Sequence, residues 1–327
     1  MNESLQVHNT DLTATPPHFR SGYVAVIGKP NVGKSTLLNA YLGQKISIVS
    51  NKPQTTRDRI IGILTQPTAQ VIFIDTPGIH LPKHALGQYM IDVAYGAIAE
   101  ADTIVFMVDL SERPDDNDRR IAEALRDQPE IRSVILALNK MDHLLSPEEM
   151  KAHVETYWSL APTPMGQEPP APWDWIMLSA TQGTNSVELL DKIIAALPEG
   201  PRYYPADQVT DQQERDIAAE LIREQALLHL KQEVPHSVAV AIEQYDERPN
   251  GSVHIAATIY VERDSQKGIM IGSGGKMLKQ IGADARHEIQ RLVDNKVFLE
   301  LWVKVRKNWR QDERELRDLG YTGKSNG

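Results

Sequence analysis

Between residues 23 and 180 the chain alternates short apolar runs with stretches whose apolar positions recur at helical spacing. The runs YVAVIG (23–28), RIIGILT (59–65), QVIFID (70–75), TIVFMVD (103–109), SVILALN (133–139) and WIMLSA (175–180) predict strands. Several are continuously apolar rather than alternating, the pattern of strands covered on both faces. Helices are predicted over 34–43, 85–99, 118–127 and 146–158. The last opens on Ser146, Pro147 and Glu149, a capped start. Strands alternating with helices predict an α/β domain with a mostly parallel sheet between helices. An amphipathic helix over 186–198 ends this unit, and the proline-glycine segment after it predicts a linker at 199–206.

Beyond the linker the order changes. A helix is predicted over 211–232, strands over 237–247 and 252–263 around a Pro-Asn-Gly turn, a helix near 275–294 and a strand over 297–309. With a short helix-like segment before the second helix, this is an α-β-β-α-α-β module of the α+β class. The predicted organisation is a flexible tail at 1–20, a first domain at 21–198, the linker, a second domain at 207–310 and a C-terminal tail at 311–327. The proline-rich 159–174 stretch reads as an exposed excursion within the first domain.

Composition narrows the function classes. With 327 residues the chain is long enough for two domains. It has no cysteine, which excludes disulfides, thiolate–metal sites and a cysteine nucleophile. Residues 1–20 lack a basic region followed by an apolar run, and nothing approaches the roughly 20 apolar residues of a membrane span. The expectation is a cytoplasmic protein. The net charge of −9 argues against indiscriminate nucleic-acid binding, and no DNA partner is expected. That average hides a gradient: 263–310 carries eleven Lys and Arg against five Asp and Glu, while 200–262 carries five against eleven. A basic block of this kind is a candidate docking face.

The stretch GKPNVGKS (28–35) matches G-x-x-x-x-G-K-S between a strand and a helix, the phosphate-loop arrangement. Gly28, Asn31, Val32, Gly33, Lys34, Ser35 and Thr36 are the phosphate-binding candidates, with Lys34 for the β- and γ-phosphates and Ser35 for Mg²⁺. Asn139-Lys140-Met141-Asp142, at the end of a later strand, selects the base. A carboxylate at Asp142 accepts from both N1–H and the exocyclic amine of guanine, a donor pair that adenine lacks. Asn139 and Lys140 would brace the ring and the loop, and a backbone N–H of the Ser179-Ala180-Thr181 turn could read guanine O6. Asp75-Thr76-Pro77-Gly78 also ends a strand: Asp75 acts on Mg²⁺ through water, and the Gly78 amide touches the γ-phosphate. PQTTRD (53–58) adds a threonine that closes over Mg²⁺, Thr56 in preference to Thr55.

The wording GKPNVGKSTLLN, PQTTRD and DTPGIH resembles the Era family within the translation-factor class of P-loop GTPases. One departure from Ras-like enzymes is Ile79, which occupies the place of the water-orienting glutamine. Asn31 matches the asparagine that, in related potassium-stimulated GTPases, helps hold K⁺ beside the phosphates. Slow intrinsic turnover of GTP to GDP is the expectation. A nucleotide-binding RNA chaperone with negligible hydrolysis is the alternative.

A second glycine-rich stretch, GIMIGSGGKMLKQIG (268–282), fails both nucleotide motifs, because Met277 stands where Ser, Thr or Gly is required. It fits G-x-x-G between two helices, the type II KH pattern that packs against a single-stranded RNA backbone. Gly272, Ser273, Gly274, Gly275, Lys276 and Lys279 are the RNA-binding candidates. The tail FLELWVKVRKNWRQDERELRDLGY also resembles Era proteins, so the resemblance spans roughly 23–321. It implies binding near the 3′ end of 16S ribosomal RNA, a role in 30S subunit assembly gated by GTP, and peripheral contact with the cytoplasmic face of the membrane.

Overall fold

In the computed structural model of the chain, the described residues are 16–127, 133–143, 146–162, 173–230 and 234–322. The first domain runs β1 (Arg20–Ile27), α1 (Lys34–Leu42), β2 (Ile60–Thr65), β3 (Ala69–Asp75), α2 (Ala85–Glu100), β4 (Thr103–Asp109), α3 (Asp116–Arg126), β5 (Val134–Asn139), α4 (Pro147–Trp158), β6 (Trp173–Met177) and α5 (Ser186–Ala196). Its six strands lie in the order β2-β3-β1-β4-β5-β6. All neighbours are parallel except β2, which runs antiparallel to β3. Every residue of β3, β4 and β5 is buried, as continuous apolar runs require. One apolar layer gathers Ile27, Ile72, Phe106 and Leu136 under α2, α3 and α4, and the other gathers Val26, Phe73, Val105 and Ile135 under α1 and α5. The predicted cap of α4 is present: Ser146 and Glu149 bond reciprocally. β1 pairs with β3 on one side and β4 on the other, so the loop after β1 opens at the switch point where such sheets bind ligands. Most of the proline-rich excursion, at 163–172, lies outside the described residues.

The second domain runs α6 (Glu214–His229), β7 (Ala239–Glu247), β8 (Val253–Val261), α7 (Asp264–Ile271), α8 (Lys276–Val293) and β9 (Val297–Val305). β7 pairs antiparallel and β9 parallel with the central β8. Leu221, Ile255, Ile259, Ile281, Ala285 and Ile289 form the core between the helices and this sheet.

Two segments carry contacts that local sequence patterning does not reveal. Residues 199–206 do not hang free. The Gln70 carboxamide accepts from the amides of Tyr203 and Tyr204 and donates to the Tyr204 carbonyl. Further along, Ile63 donates to Val209 and Thr210 to Ile61. The tail expected from 311 instead forms α9 (Glu313–Asp318). There Trp309 and Leu316 bury against Leu86 and Met90 of α2. Apolar side chains spread thinly along the tail gain burial only from a surface distant in sequence, so local patterning does not reveal it.

Candidate functional site

The loop after β1 wraps a cleft of about 400 Å³ lined by Pro30, Asn31, Gly33, Lys34, Ser35, Thr36, Thr56, Gly78, Asn139 and Lys140, among others. Gly33 starts α1 at φ 106, a left-handed value that favours glycine. Val32 is buried in the layer under α1, which anchors the loop. Lys34 is buried and donates to the carbonyls of Gly28 and Lys29 at 3.1 Å each. Lys29, unassigned from sequence, turns away from the cleft and sits 3.2–3.4 Å from carboxylates of Glu112, Asp115 and Asp118. It ties the loop to the start of α3.

Burial pulls the Lys34 ammonium down to about 8 from its ordinary 10.5, with Asp75 opposing. Phosphates placed against it would raise it again. Nucleotide binding is therefore expected to take up protons above about pH 8 and to weaken as pH rises through that value. At about pH 6.5 the ammonium is charged in both states and no uptake is expected. Calorimetry in two buffers of different ionisation enthalpy measures this directly. The same proton count at both pH values would contradict it.

The candidate Mg²⁺ ligands converge. Ser35 Oγ lies 2.6 Å from Asp75 Oδ2 and 3.1 Å from Thr56 Oγ1, and Ser47 also donates to Asp75 Oδ2 at 2.8 Å. Asp75 is fully buried, yet its Oδ1 has no hydrogen-bond partner among the described residues. Three hard oxygen donors with one buried oxygen to spare fit a magnesium site completed by phosphate and water. Thr55 bonds to the Lys52 carbonyl and to Ser50, so of the two threonines it is Thr56 whose hydroxyl lies beside Ser35. Thr76 donates to the Val26 carbonyl. Pro77 and Gly78 continue that turn, and a Cβ on Gly78 would meet the Pro30 backbone at 2.5 Å. Glycine is required there because this turn packs on the phosphate loop. Ile79 is buried in the core, so it holds no water. The next residue, His80, bridges the two loops, with Nδ1 on the Gly78 carbonyl and Nε2 at 3.1 Å from the Gln54 amide. Asn31, at φ 64, donates to the Asn51 carbonyl at 2.9 Å.

At the base end Asn139 is a brace. Its Nδ2 donates to the Val32 carbonyl at 2.7 Å, and its Oδ1 accepts from the Ala180 amide at 2.9 Å. Lys140, at φ 67, pairs with Asp109 at 2.5 Å. Asp142 Oδ1 is buried without a partner among the described residues. Hydrogen bonding, with the Ser179 hydroxyl as main contributor, holds its carboxyl below the usual range, so it is an acceptor at neutral pH. The Ser179 and Ala180 amides are already engaged, by Thr184 and Asn139. That leaves the Thr181 amide as the one of the three without a partner among the described residues.

In the second domain, Gly272, Ser273, Gly274 and Gly275 form the turn between α7 and α8. Gly274 and Gly275 have φ of 58 and 77, and open space surrounds the position of a Cβ on either. α8 starts after Gly275 with no side-chain cap; the Lys276 amide bonds to the Ser273 carbonyl, and Lys276 and Lys279 are exposed on the first turn. Ile269 is exposed next to this turn, while Ile281 is in the core.

Comparison with known proteins places both domains in known families. Residues 23–140 match the 50S ribosome-binding GTPase family and residues 233–310 the KH domain. The chain is 48% identical over 307 residues to GTPase Era of Heliobacterium modesticaldum, covering 94% of this chain and 98% of that one. It is 48% identical over 304 residues to GTPase Era of Leuconostoc citreum, covering 93% and 97%. The crystal structure of Era in complex with MgGDPNP and nucleotides 1506–1542 of 16S ribosomal RNA superposes with a TM-score of 0.86 at 38% identity, covering 93% of this chain and 100% of that one. An Aquifex aeolicus Era variant bound to GDP and AlF₄⁻ gives 0.85 at 38% identity, with the same coverage. With a GTPase-family region followed by a KH domain, and 48% identity along nearly the whole chain, the protein belongs to the Era family of GTPases.

Proposed function

We propose that the chain is a GTP-operated switch that binds 16S ribosomal RNA near its 3′ end and assists assembly of the 30S subunit. The observation that carries this is the outward-facing Gly274-Gly275 turn at the uncapped start of α8, in a chain 38% identical to an Era crystallised with that RNA. On this reading residues 21–198 are the GTPase domain and 207–310 the RNA-binding domain. The phosphate loop and Lys34 hold the phosphates, Ser35 and Thr56 ligate Mg²⁺, and Asp75 acts on it through water. Asp142 selects guanine. Mg²⁺, when bound, neutralises charge that develops on the β- and γ-phosphates. Ile79 cannot orient a water, and Asn31, whose amide nitrogen is committed to Asn51, keeps its carbonyl oxygen for a K⁺ beside the phosphates.

Among the described residues no helix is long and apolar enough to cross a membrane. A cytoplasmic location, with the basic 263–310 stretch making peripheral contact with the membrane, belongs to the same proposal. Crosslinking the protein to cellular RNA and sequencing the contacts tests it. Reads concentrated at the 3′ end of 16S ribosomal RNA are expected. Reads spread evenly over messenger RNA would overturn it.

A further inference from the structure

We infer that the second domain builds part of the nucleotide site: Arg223 and Glu224 of α6 are positioning residues that hold the 45–57 loop so that Thr56 reaches the metal position. This rests on the reading of Thr56 as a Mg²⁺ ligand. Residues 45–57 contain no helix or strand, so contacts from outside must fix their course. Within the first domain, Asn39 of α1 holds Ile46 and Ser47, and His80 meets Gln54; the second domain and the segment after it hold the rest of the loop beyond the cleft. Ile48 buries in that domain's core beside Leu221 and Ile222. Glu224 accepts from the Val49 amide at 2.9 Å and from Lys45 at 2.5 Å, and Glu288 holds the same lysine at 3.2 Å.

Thr56 itself is held on both sides. The Thr55 carbonyl accepts from the Arg223 guanidinium, which also pairs with Glu220. On the other side Arg57 donates to the Val238 and His236 carbonyls and to the Tyr321 hydroxyl, at 2.6, 3.3 and 3.0 Å. Its guanidinium lies 5.5 Å from the Trp309 ring and 5.9 Å from the Tyr321 ring, so the C-terminal segment completes the grip. Leu228, half-exposed on α6, lines the nucleotide cleft together with Ile48 and Val49.

The grip is conditional. Arg57 and Arg223 are both fully buried like charges, and Arg57 Nε and Arg223 Nη1 have no hydrogen-bond partner among the described residues. Two such groups return to water readily once a compensating interaction is lost. A metal-held Thr56 supplies that interaction, because it fixes the backbone between the two arginines. The loop then has two discrete positions, and closing it closes the domain contact as well.

The test uses the full chain with Arg223→Ala, Arg57→Lys and Thr56→Ala in parallel. Arg57→Lys keeps the charge but loses the fork that spans two carbonyls. Amide exchange over 48–57 with Mg²⁺ and a GTP analogue bound at saturation is expected to quicken about tenfold or more in both arginine variants, with exchange in β3 and β4 unchanged. The Mg²⁺ concentration that half-saturates binding of a GTP analogue is expected to rise about tenfold. A folded Arg57→Lys protein with unchanged loop exchange and unchanged Mg²⁺ requirement overturns the proposal, even where Arg223→Ala fails to fold. A Mg²⁺ requirement that ignores Thr56→Ala instead removes the metal assignment on which it rests.

Discussion

Asp142→Asn is expected to weaken GTP binding on the order of 10²–10³-fold, the loss of about 3–4 kcal/mol, while binding of xanthosine triphosphate improves. The carboxylate offers two acceptors to two guanine donors, and its Oδ1 is buried without any other partner among the described residues. Asparagine retains one acceptor but turns an N–H toward the exocyclic amine, so a donor faces a donor. Xanthine carries a carbonyl at that ring position and accepts the same N–H. Competition against a fluorescent guanine nucleotide measures both changes. The fold should tolerate the replacement, because the two side chains share shape and Asp142 lies in a short 3₁₀ turn at the cleft. An Asp142→Asn protein that still prefers GTP over the xanthine nucleotide would contradict the assignment of the base site.

The second large effect is expected in the other domain. Replacing Ser273 and Gly274 together by aspartate should lower affinity for the 16S fragment at least about 100-fold, because two negative charges would face the RNA phosphates. Gly274 has φ 58 and open space around its Cβ position, and aspartate tolerates that conformation better than most residues. The melting temperature should therefore stay within a few degrees of the parent, which separates lost binding from lost folding. A mobility-shift titration at fixed salt reads the affinity. Retained binding would place the RNA on another surface.

Much of this was legible in the chain, for a local reason. The phosphate loop, Asn139–Asp142, Asp75–Gly78 and the Gly272–Gly275 turn are each contiguous words at the end of a strand or the start of a helix. Their chemistry depends on neighbours in sequence. Thr55 and Thr56 carry the same side chain, and only the path of the loop decides which hydroxyl meets Ser35. Lys29 reads as a variable position inside the loop motif, and its three carboxylates lie more than 80 residues away. Arg223 and Glu224 read as ordinary charges on an amphipathic helix, yet both are buried against the 45–57 loop. Arg57 sits inside PQTTRD, but its partners at 236, 238 and 321 belong to the second domain and the tail. Contacts between domains leave no periodicity or spacing in either partner's sequence, and that is where the sequence was silent.

The docked 199–206 segment changes how the two halves can communicate. With Gln70 holding Tyr203 and Tyr204, and β2 holding 209–210, the connection contributes little freedom of its own. Coupling then has two packed surfaces to pass through: one where the 45–57 loop meets α6, Val238 and Tyr321, and one where α2 meets Ala239, Trp309 and Leu316. A nucleotide that binds both loop positions equally would shift nothing. GTP and GDP must therefore differ in their hold on Thr56, and RNA affinity must register the difference.

The most direct measurement is the dissociation constant of the full chain for a 3′-terminal 16S fragment, once with a non-hydrolysable GTP analogue and Mg²⁺ and once with GDP, at one salt concentration. At least about tenfold tighter binding is expected with the GTP analogue, a coupling of about 1.4 kcal/mol. Equal affinity in the two states would contradict it.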